Sequence, residues 1–545
     1  MAESKQPMLD VLIVGAGFAG LYLMHRMRGA GLSAHVYEGA DGVGGTWYWN
    51  RYPGARCDVE SMQYSFGWDE ELQQEWQWSE RFAGQPEILK YANHIADRYD
   101  LRRDITFNAR VSAAAYDEAA GTWSVETETG KTIACRYLVM ATGCLSTARI
   151  PDFPGLKDFK GRTFHTGYWP HHPVDFTGRR VAVVGTGSSA IQSIPVIAEQ
   201  ASHLTVFQRT PNFSIPTRNG PMDDEYEGWW KNGYAQKRVE ARTTRAGILN
   251  RQSEQKASET PLDEQLNVYE ARWQTGGTSF MGSFADIVTS KQANDTAADF
   301  VRAKIRGLVD DARVAELLCP TNHPIGTKRI CVDSHYFETY NRANVTLVDV
   351  KNAPITRLTE TGLAWGEANA EDFDDIVFAT GFDAMTGTMT RVDIKGRAGQ
   401  TLKQKWDAGP LTYLGIMTAG FPNLFMITGP GSPSVLSNMI LSIEQHVDWI
   451  TDCLVHLKSH GMPSIEAAPD AETNWVAHVN EVAHRTLYPQ ANSWYMGANI
   501  PGKPQVFMPY IGGVGVYREK CDEVAAKGYE GFRITTPVKV AQAAE

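Results

Sequence analysis

Two glycine loops give this chain places to hold phosphate: Gly15-Ala16-Gly17-Phe18-Ala19-Gly20 and Gly185-Thr186-Gly187-Ser188-Ser189-Ala190. Each follows a short apolar run, Val11-Leu12-Ile13-Val14 in one case and Val181-Ala182-Val183-Val184 in the other. The pattern is that of a strand, a tight turn and a helix whose N-terminus faces a pyrophosphate. Gly15 permits the turn, Gly17 lets phosphate approach the backbone, and Gly20 lets helix and strand pack closely. Gly185 and Gly187 repeat the first two roles, with Ala190 in the third place. Beyond the first loop a helical stretch from Leu21 to Arg28 leads to a second strand, 34–37, that ends in Glu38. Its carboxylate can accept hydrogen bonds from ribose hydroxyls. Beyond the second loop, Leu204-Thr205-Val206-Phe207 ends in Gln208-Arg209-Thr210, with no acid, and Arg209 is expected where the first unit has Glu38. A guanidinium with a neighbouring hydroxyl binds a 2′-phosphate that a carboxylate would repel. Loop one therefore suits an unphosphorylated ribose, as in FAD, and loop two suits NADP.

These loops need a large scaffold. At 545 residues the chain is too long for one core and suits two or three domains. Its 43% hydrophobic and 10% aromatic content is ample for globular folding, and a net charge of −11 argues against a nucleic-acid surface. The seven cysteines are scattered without a C-x-x-C pair, which excludes a redox dithiol and a zinc ribbon and fits a reducing compartment. His171 and His172 lack ligand spacing, so no metal is expected. The N-terminal MAESKQPM lacks the basic, apolar and small-residue succession of a signal, and no apolar run reaches about 18 residues. A soluble cytoplasmic protein with no membrane or nucleic-acid partner is the expectation. Two further runs, Tyr137-Leu138-Val139-Met140 and Asp375-Ile376-Val377-Phe378, both end in Ala-Thr-Gly.

Two longer phrases narrow the chemistry. Between the loops stands F-x-G-x-x-x-H-x-x-x-W, carried by Phe159, Gly161, His165 and Trp169. After the first βαβ unit comes Gly44-Gly45-Thr46-Trp47, then Tyr52-Pro53-Gly54 and, further on, Asp58. Together they resemble the two fingerprints of the type I Baeyer–Villiger monooxygenases, and the resemblance covers essentially the whole chain. It implies an α/β fold of two Rossmann-like dinucleotide-binding domains with a helical insertion. The FAD domain would take 1–146 and 382–545, the NADP domain 147–215 and 325–381, and the insertion 216–324. Within the insertion, Asp295-Thr296 can cap a helix bearing Phe300, Val301, Ile305, Leu308 and Val309, continuing through Val314, Leu317 and Leu318 to Pro320. The resemblance further implies FAD and NADPH as cofactors, and O2 and a ketone as partners. The product would be an ester or lactone, formed through a peroxide on the flavin's C4a carbon, with sulfides as additional substrates. A monomer or weak oligomer is expected.

The same resemblance assigns the site. Arg329 would project over the flavin with Asp58 orienting it, because a permanently charged guanidinium stabilises an anionic oxidant and the adduct that follows. Glu38, Gly45, Thr46, Trp47, Tyr64, Val111 and Met439 would face FAD along with Asp58. Arg56, Thr186, Ser188, Ser189, Gln192, Arg209, Thr210, Lys328, Arg329 and Trp494 would face NADP, with Trp494 on a closing loop. His165 reads as a domain-coupling residue rather than a proton carrier, because imidazole switches charge and geometry easily. The segment Gly431–Met439 looks most like the phenylacetone and steroid monooxygenase branch, which hints at aryl or bulky cyclic ketones. Three rivals stand beside this reading. A flavin monooxygenase of soft nitrogen or sulfur would carry Tyr in place of Trp169 and lack the Asp58 and Arg329 arrangement. A disulfide reductase would need paired cysteines. A redox sensor would bind both nucleotides without oxygenating a substrate.

Overall fold

The computed structural model describes residues 8–250 and 252–535. The polar N-terminal residues 1–7 and the outer end of the expected FAD domain, 536–545, lie outside the described residues.

Two sheets carry the loops. The larger has Leu9–Val14 at its middle, flanked in parallel by Ala34–Tyr37 on one side and Thr132–Met140 on the other. The smaller is wholly parallel, with Arg180–Val184 between His203–Gln208 and Asp375–Phe378. In each, the strand order reverses beside the glycine loop, which is where open parallel sheets hold their ligands. The first helix spans Phe18–Gly29, starting inside the loop rather than at Leu21. The C-terminal portion returns to the larger sheet, since Leu424–Met426 pairs with Thr132–Met140 and Asp393–Lys395 with Val111–Asp117.

The two units repeat each other bond for bond. Gly15 N–H donates to Tyr37 O at 2.9 Å, and Gly185 N–H to Phe207 O at 3.0 Å. Ala141 N–H donates to Val14 O and Ala379 N–H to Val184 O, both at 2.9 Å. The Ala-Thr-Gly turns therefore lie directly against the glycine loops. Gly15 and Gly185 take φ of +103° and +115°, and an added Cβ would meet Ala141 O at 2.7 Å and Ala379 O at 2.5 Å. A side chain there would be strained in its backbone and blocked by a carbonyl.

The helical region departs from the sequence expectation. Ser290, not Asp295, caps the helix Lys291–Leu308, its side chain accepting from Ala293 N–H. Asp295 lies inside the helix and pairs with Lys291 at 2.5 Å. The alanines at 293, 297 and 298 extend the buried stripe of Phe300, Val301 and Ile305 by a turn, which counting only large side chains overlooked. Nor does the helix run on to Pro320: Asp311 starts a new one, Ala312–Leu318, by accepting from Arg313 and Val314 N–H. Residues 216–324 also serve two cores. Trp230 and Tyr234 pack with the larger sheet's core, whereas Tyr269, Trp273 and Phe300 pack with that of the smaller sheet.

The loop after the first unit meets the helix after the second, Ser188–Gln200. Tyr52 OH donates to Gln192 Oε1 at 2.8 Å, and Gln192 Nε2 donates to Arg56 O at 3.1 Å. Gly54 has φ +78°, and a Cβ there would fall 2.3 Å from Gln192 O. Gly54→Ala should therefore cost about 1–3 kcal/mol through backbone strain and overpacking at the junction. Thermal melting with bound FAD measured in parallel checks this: the melt should fall while flavin content holds, and Gln192→Ala should have a milder effect. An unaltered melt for Gly54→Ala would mean that the two units do not lean on this contact.

Candidate active site

One cavity of about 1520 Å³ joins the two glycine loops. Pockets for single small ligands run to roughly 1,000 Å³, so this volume suits more than one. Of the residues expected to face the cofactors, all but Gly20 line it. Gly20 instead packs against its own loop, where a Cβ would sit 1.9 Å from Gly15 O.

At the first loop, the Glu38 carboxylate accepts from Ala16 N–H at 2.6 Å and Ala40 N–H at 2.7 Å, fixing the turn at the end of its strand. Trp47 and Tyr64 form an aromatic wall, with Trp47 Nε1–H donating to Tyr64 OH at 3.0 Å. Gln85 braces that wall through Trp47 O at 2.5 Å. Gly45, Thr46, Val111 and Met439 line the same end. At the second loop a Cβ on Gly187 would touch nothing within 4 Å, leaving a bare backbone cradle of the kind a pyrophosphate occupies. Thr186 Oγ1 donates to Thr210 O at 2.8 Å, and Ser188 Oγ lies 3.1 Å from Cys331 Sγ.

The register corrects one assignment. Val14 pairs with Tyr37 and Val184 with Phe207, so the counterpart of Glu38 is Gln208, and Arg209 stands one residue further on. Gln208 is buried and donates to Leu317 O at 2.6 Å. The chain turns outward after it, and Arg209 with Thr210 reaches the cavity from that turn. Lys328 lines the cavity as well, its ammonium held below the ordinary lysine range by burial and by the charge of Arg209. Arg149 is also there, and no sequence pattern pointed to it. The basic groups of Arg149, Arg209 and Lys328 have no carboxylate partner among the described residues. Such a set suits a phosphate dianion. Arg56 differs, since its guanidinium is already bound to Glu80 and Phe82 O, both at 2.5 Å.

Between the loops, Arg329 and Asp58 come together. Arg329 Nε and Nη2 donate to Asp58 Oδ2 at 2.8 and 2.6 Å, and Nη1 donates to Val435 O at 2.5 Å. Burial alone would favour the neutral guanidine, but Asp58 outweighs it and raises the pKa beyond the ordinary arginine range. Burial also pushes up the Cys57 thiol and the Tyr52 and Tyr495 phenols, so these neighbours stay neutral. The cation is permanent and aimed into the cavity from a fixed fork. Val435 O left no trace in the sequence, because any residue supplies a carbonyl.

The F-x-G-x-x-x-H-x-x-x-W residues do not line the cavity; they clasp the crossing between the sheets. His165 Nδ1 accepts from Gly167 N–H at 3.0 Å, which leaves Nε2–H to donate to Arg149 O at 3.1 Å. Burial lowers the imidazole's pKa, in keeping with this neutral form. Thr380 Oγ1 donates to the same carbonyl at 2.5 Å, and Arg149 N–H donates to Gly381 O at 2.8 Å. Thr166, a free position in the motif, reaches the second loop through Ser189 Oγ at 3.0 Å. Trp169 is buried and stacked on Phe164, and Phe159 fills the space against Gly161. Trp494 lines the cavity from a short turn, Trp494–Met496. Its segment is tied to the same crossing: Asn499 Nδ2 donates to Phe382 O at 2.7 Å, and Lys503 Nζ pairs with Asp383 at 2.7 Å.

Known proteins resemble this chain. Residues 9–266 match the family model described as pyridine nucleotide-disulphide oxidoreductase. All seven cysteines are free and buried, so the match reflects the nucleotide framework and not a dithiol. The chain is 43% identical to a Baeyer-Villiger monooxygenase of Pseudooceanicola batsensis, over 95% of each chain. It is 40% identical to the phenazine N-monooxygenase PhzNO1 of Lysobacter antibioticus, over 98% of each. A solved structure of oxidized steroid monooxygenase bound to NADP superposes with a TM-score of 0.93 at 52% identity, covering 97% of this chain and 100% of that one. With two nucleotide loops meeting at a half-buried arginine–aspartate pair, and relatives of this closeness along nearly its whole length, the chain belongs to the Baeyer–Villiger monooxygenases, FAD- and NADPH-dependent enzymes that convert ketones to esters or lactones.

Proposed function

We propose that Arg329 is the catalytic cation of a ketone oxygenation and that Asp58 holds it in place. The observation that carries this is the pair itself, a guanidinium gripped by Asp58 and by Val435 O inside a cavity that runs from one nucleotide loop to the other. FAD, when bound, accepts hydride from NADPH and activates O2. The chain's residues do the rest. The first loop with Glu38 holds the FAD end, and the second loop with Arg209, Thr210 and Lys328 holds NADP. The aromatic wall of Trp47 and Tyr64, with Trp494 elsewhere in the lining, keeps water from the reacting atoms. Arg329 offsets the negative charge that develops as the ketone carbonyl is attacked, through donors already in position. A carbon then migrates to oxygen, so that ketone, O2, NADPH and a proton yield ester, NADP⁺ and water.

Within this reading, residues 1–146 and 382–545 form the FAD domain, 147–215 and 325–381 the NADP domain, and 216–324 the insertion. Val435, Ser437 and Met439 line the cavity, and the segment around them supports aryl or bulky cyclic ketones as substrates. Thioethers are secondary substrates. We read the enzyme as a monomer or weak oligomer. We also read it as cytoplasmic, in keeping with its seven unpaired thiols. No described helix is long and apolar enough to cross a membrane.

Arg329→Ala should retain FAD, since the first unit is untouched, and lose ketone oxygenation by roughly a hundred- to a thousandfold. Asp58→Ala should lose less, through a misplaced Arg329. Product mass after single turnover checks both, and ester formed at the parental rate by Arg329→Ala would remove Arg329 from the mechanism.

A panel of phenylacetone, cyclic ketones, a steroid ketone, thioethers and a phenazine tests the reaction. Ketone products should gain one oxygen atom, with label from O2 in the bridging position of the ester. Thioethers should react more slowly, and the phenazine poorly. The similarity to a phenazine N-monooxygenase makes efficient nitrogen oxidation without any ester the result that favours the rival reading.

A further inference from the structure

We propose that Arg149 is a third cation of the clamp for the coenzyme's 2′-phosphate, beside Arg209 and Lys328, and that it sharpens the preference for NADPH over NADH. The inference rests on the assignment of the second loop to NADP and extends it to a residue outside both fingerprints.

The support is geometric first. Arg149 comes from the crossing between the sheets, whereas Arg209 follows the second strand of the NADP unit and Lys328 follows the insertion. Three separate segments thus bring basic side chains to one cavity. Arg149 is the most firmly seated of the three in its backbone. Its N–H donates to Gly381 O, and its carbonyl accepts from both Thr380 Oγ1 and His165 Nε2–H. Every one of those bonds is to the main chain, so the guanidinium is left for another partner. The described residues offer it no acid.

Charge argues in the same direction. Burial and the neighbouring charge of Arg209 lower the pKa of both Arg149 and Lys328. Cations gathered without a carboxylate repel one another unless an anion sits among them. A phosphate monoester supplies about −1.5 to −2 charges at neutral pH and several acceptor oxygens. Two anionic groups of the coenzyme could fill that role, the 2′-phosphate and the pyrophosphate. Gly187 already offers the pyrophosphate a bare backbone cradle at the helix N-terminus, so the side-chain cations are left to the 2′-phosphate.

The test measures binding to FAD-loaded enzyme by calorimetry, using fragments that separate the two phosphates. The probes are 2′,5′-ADP, which lacks the pyrophosphate, and ADP, which lacks the 2′-phosphate, with NADP⁺ and NAD⁺ as the whole coenzymes. Arg149→Gln should weaken 2′,5′-ADP and NADP⁺ by about ten- to a hundredfold, the size expected for one lost charge-assisted contact, and leave ADP and NAD⁺ unaltered. Arg149→Lys should recover part of the loss. The KM for NADPH should rise in proportion while turnover at saturation stays near parental. Because the lost side chain carries none of the backbone bonds, FAD content and melting should hold. Weakening of ADP without 2′,5′-ADP would overturn the proposal in favour of a pyrophosphate contact, equal weakening of both in favour of a contact to the shared adenosine 5′-phosphate, and no weakening of either would overturn it outright. Arg209→Ala, run alongside, separates the two levels. If it alone weakens 2′,5′-ADP, the NADP site stands and Arg149 is not part of it; if neither variant does, the NADP assignment falls too.

Discussion

The structure turns on keeping one guanidinium charged and aimed. Arg329 is half-buried, and an unpaired cation withdrawn from solvent is costly. Asp58 meets that cost and Val435 O takes a further donor, so the group keeps its charge and also loses its freedom to turn. The neutral neighbours Tyr52, Cys57 and Tyr495 add no second counter-charge to Asp58. The pair joins residues 271 apart in sequence, about half the length of the chain. Asp58 belongs to the loop after the first nucleotide unit, and Arg329 to the return from the helical segment. Their contact exists only if the two units hold a set relation to each other.

That relation is secured at several points. Tyr52, Gly54 and Arg56 seat on the helix of the second unit through Gln192. At the crossing, His165 and Thr380 hold Arg149 O, while Asn499 and Lys503 attach the Trp494 segment to Phe382 and Asp383. The fingerprint histidine thus lies just behind the cavity lining, bonded to Arg149 and Thr380, which line it. Its buried, neutral ring with both nitrogens engaged fits a clasp far better than a proton carrier. The motif marks a junction.

Much of this was legible in the residues alone. The glycine loops, their strands and Glu38 follow from local rules, because a turn that must admit phosphate tolerates few side chains and the flanking strands show as short apolar runs. Asp58 came with the second fingerprint, and Arg329 and Lys328 with the wider resemblance to the family. Spacing alone would have left each as an ordinary charged side chain. Local rules also had limits within single elements. Ser290 and Asp311 divide the helical region where a count of large apolar residues ran it together, since small alanines complete a buried stripe without announcing it.

Tertiary structure decided what depends on register and on main-chain atoms. Only strand pairing shows that Gln208, not Arg209, is the partner of Glu38, because a count along the sequence cannot tell a strand's last residue from the turn that follows. Val435 O as a ligand of Arg329 is invisible in sequence, as every residue has a carbonyl. Arg149 was invisible for another reason: a lone arginine on a linker is ordinarily solvated, and only the fold brings it to a cavity shared with Arg209 and Lys328. Sequence determined which nucleotide-binding units and which charged groups the chain owns. The packing of one unit against the other decided which of those groups meet, since long-range contacts are set by shape and hydrogen bonding rather than by neighbours along the chain.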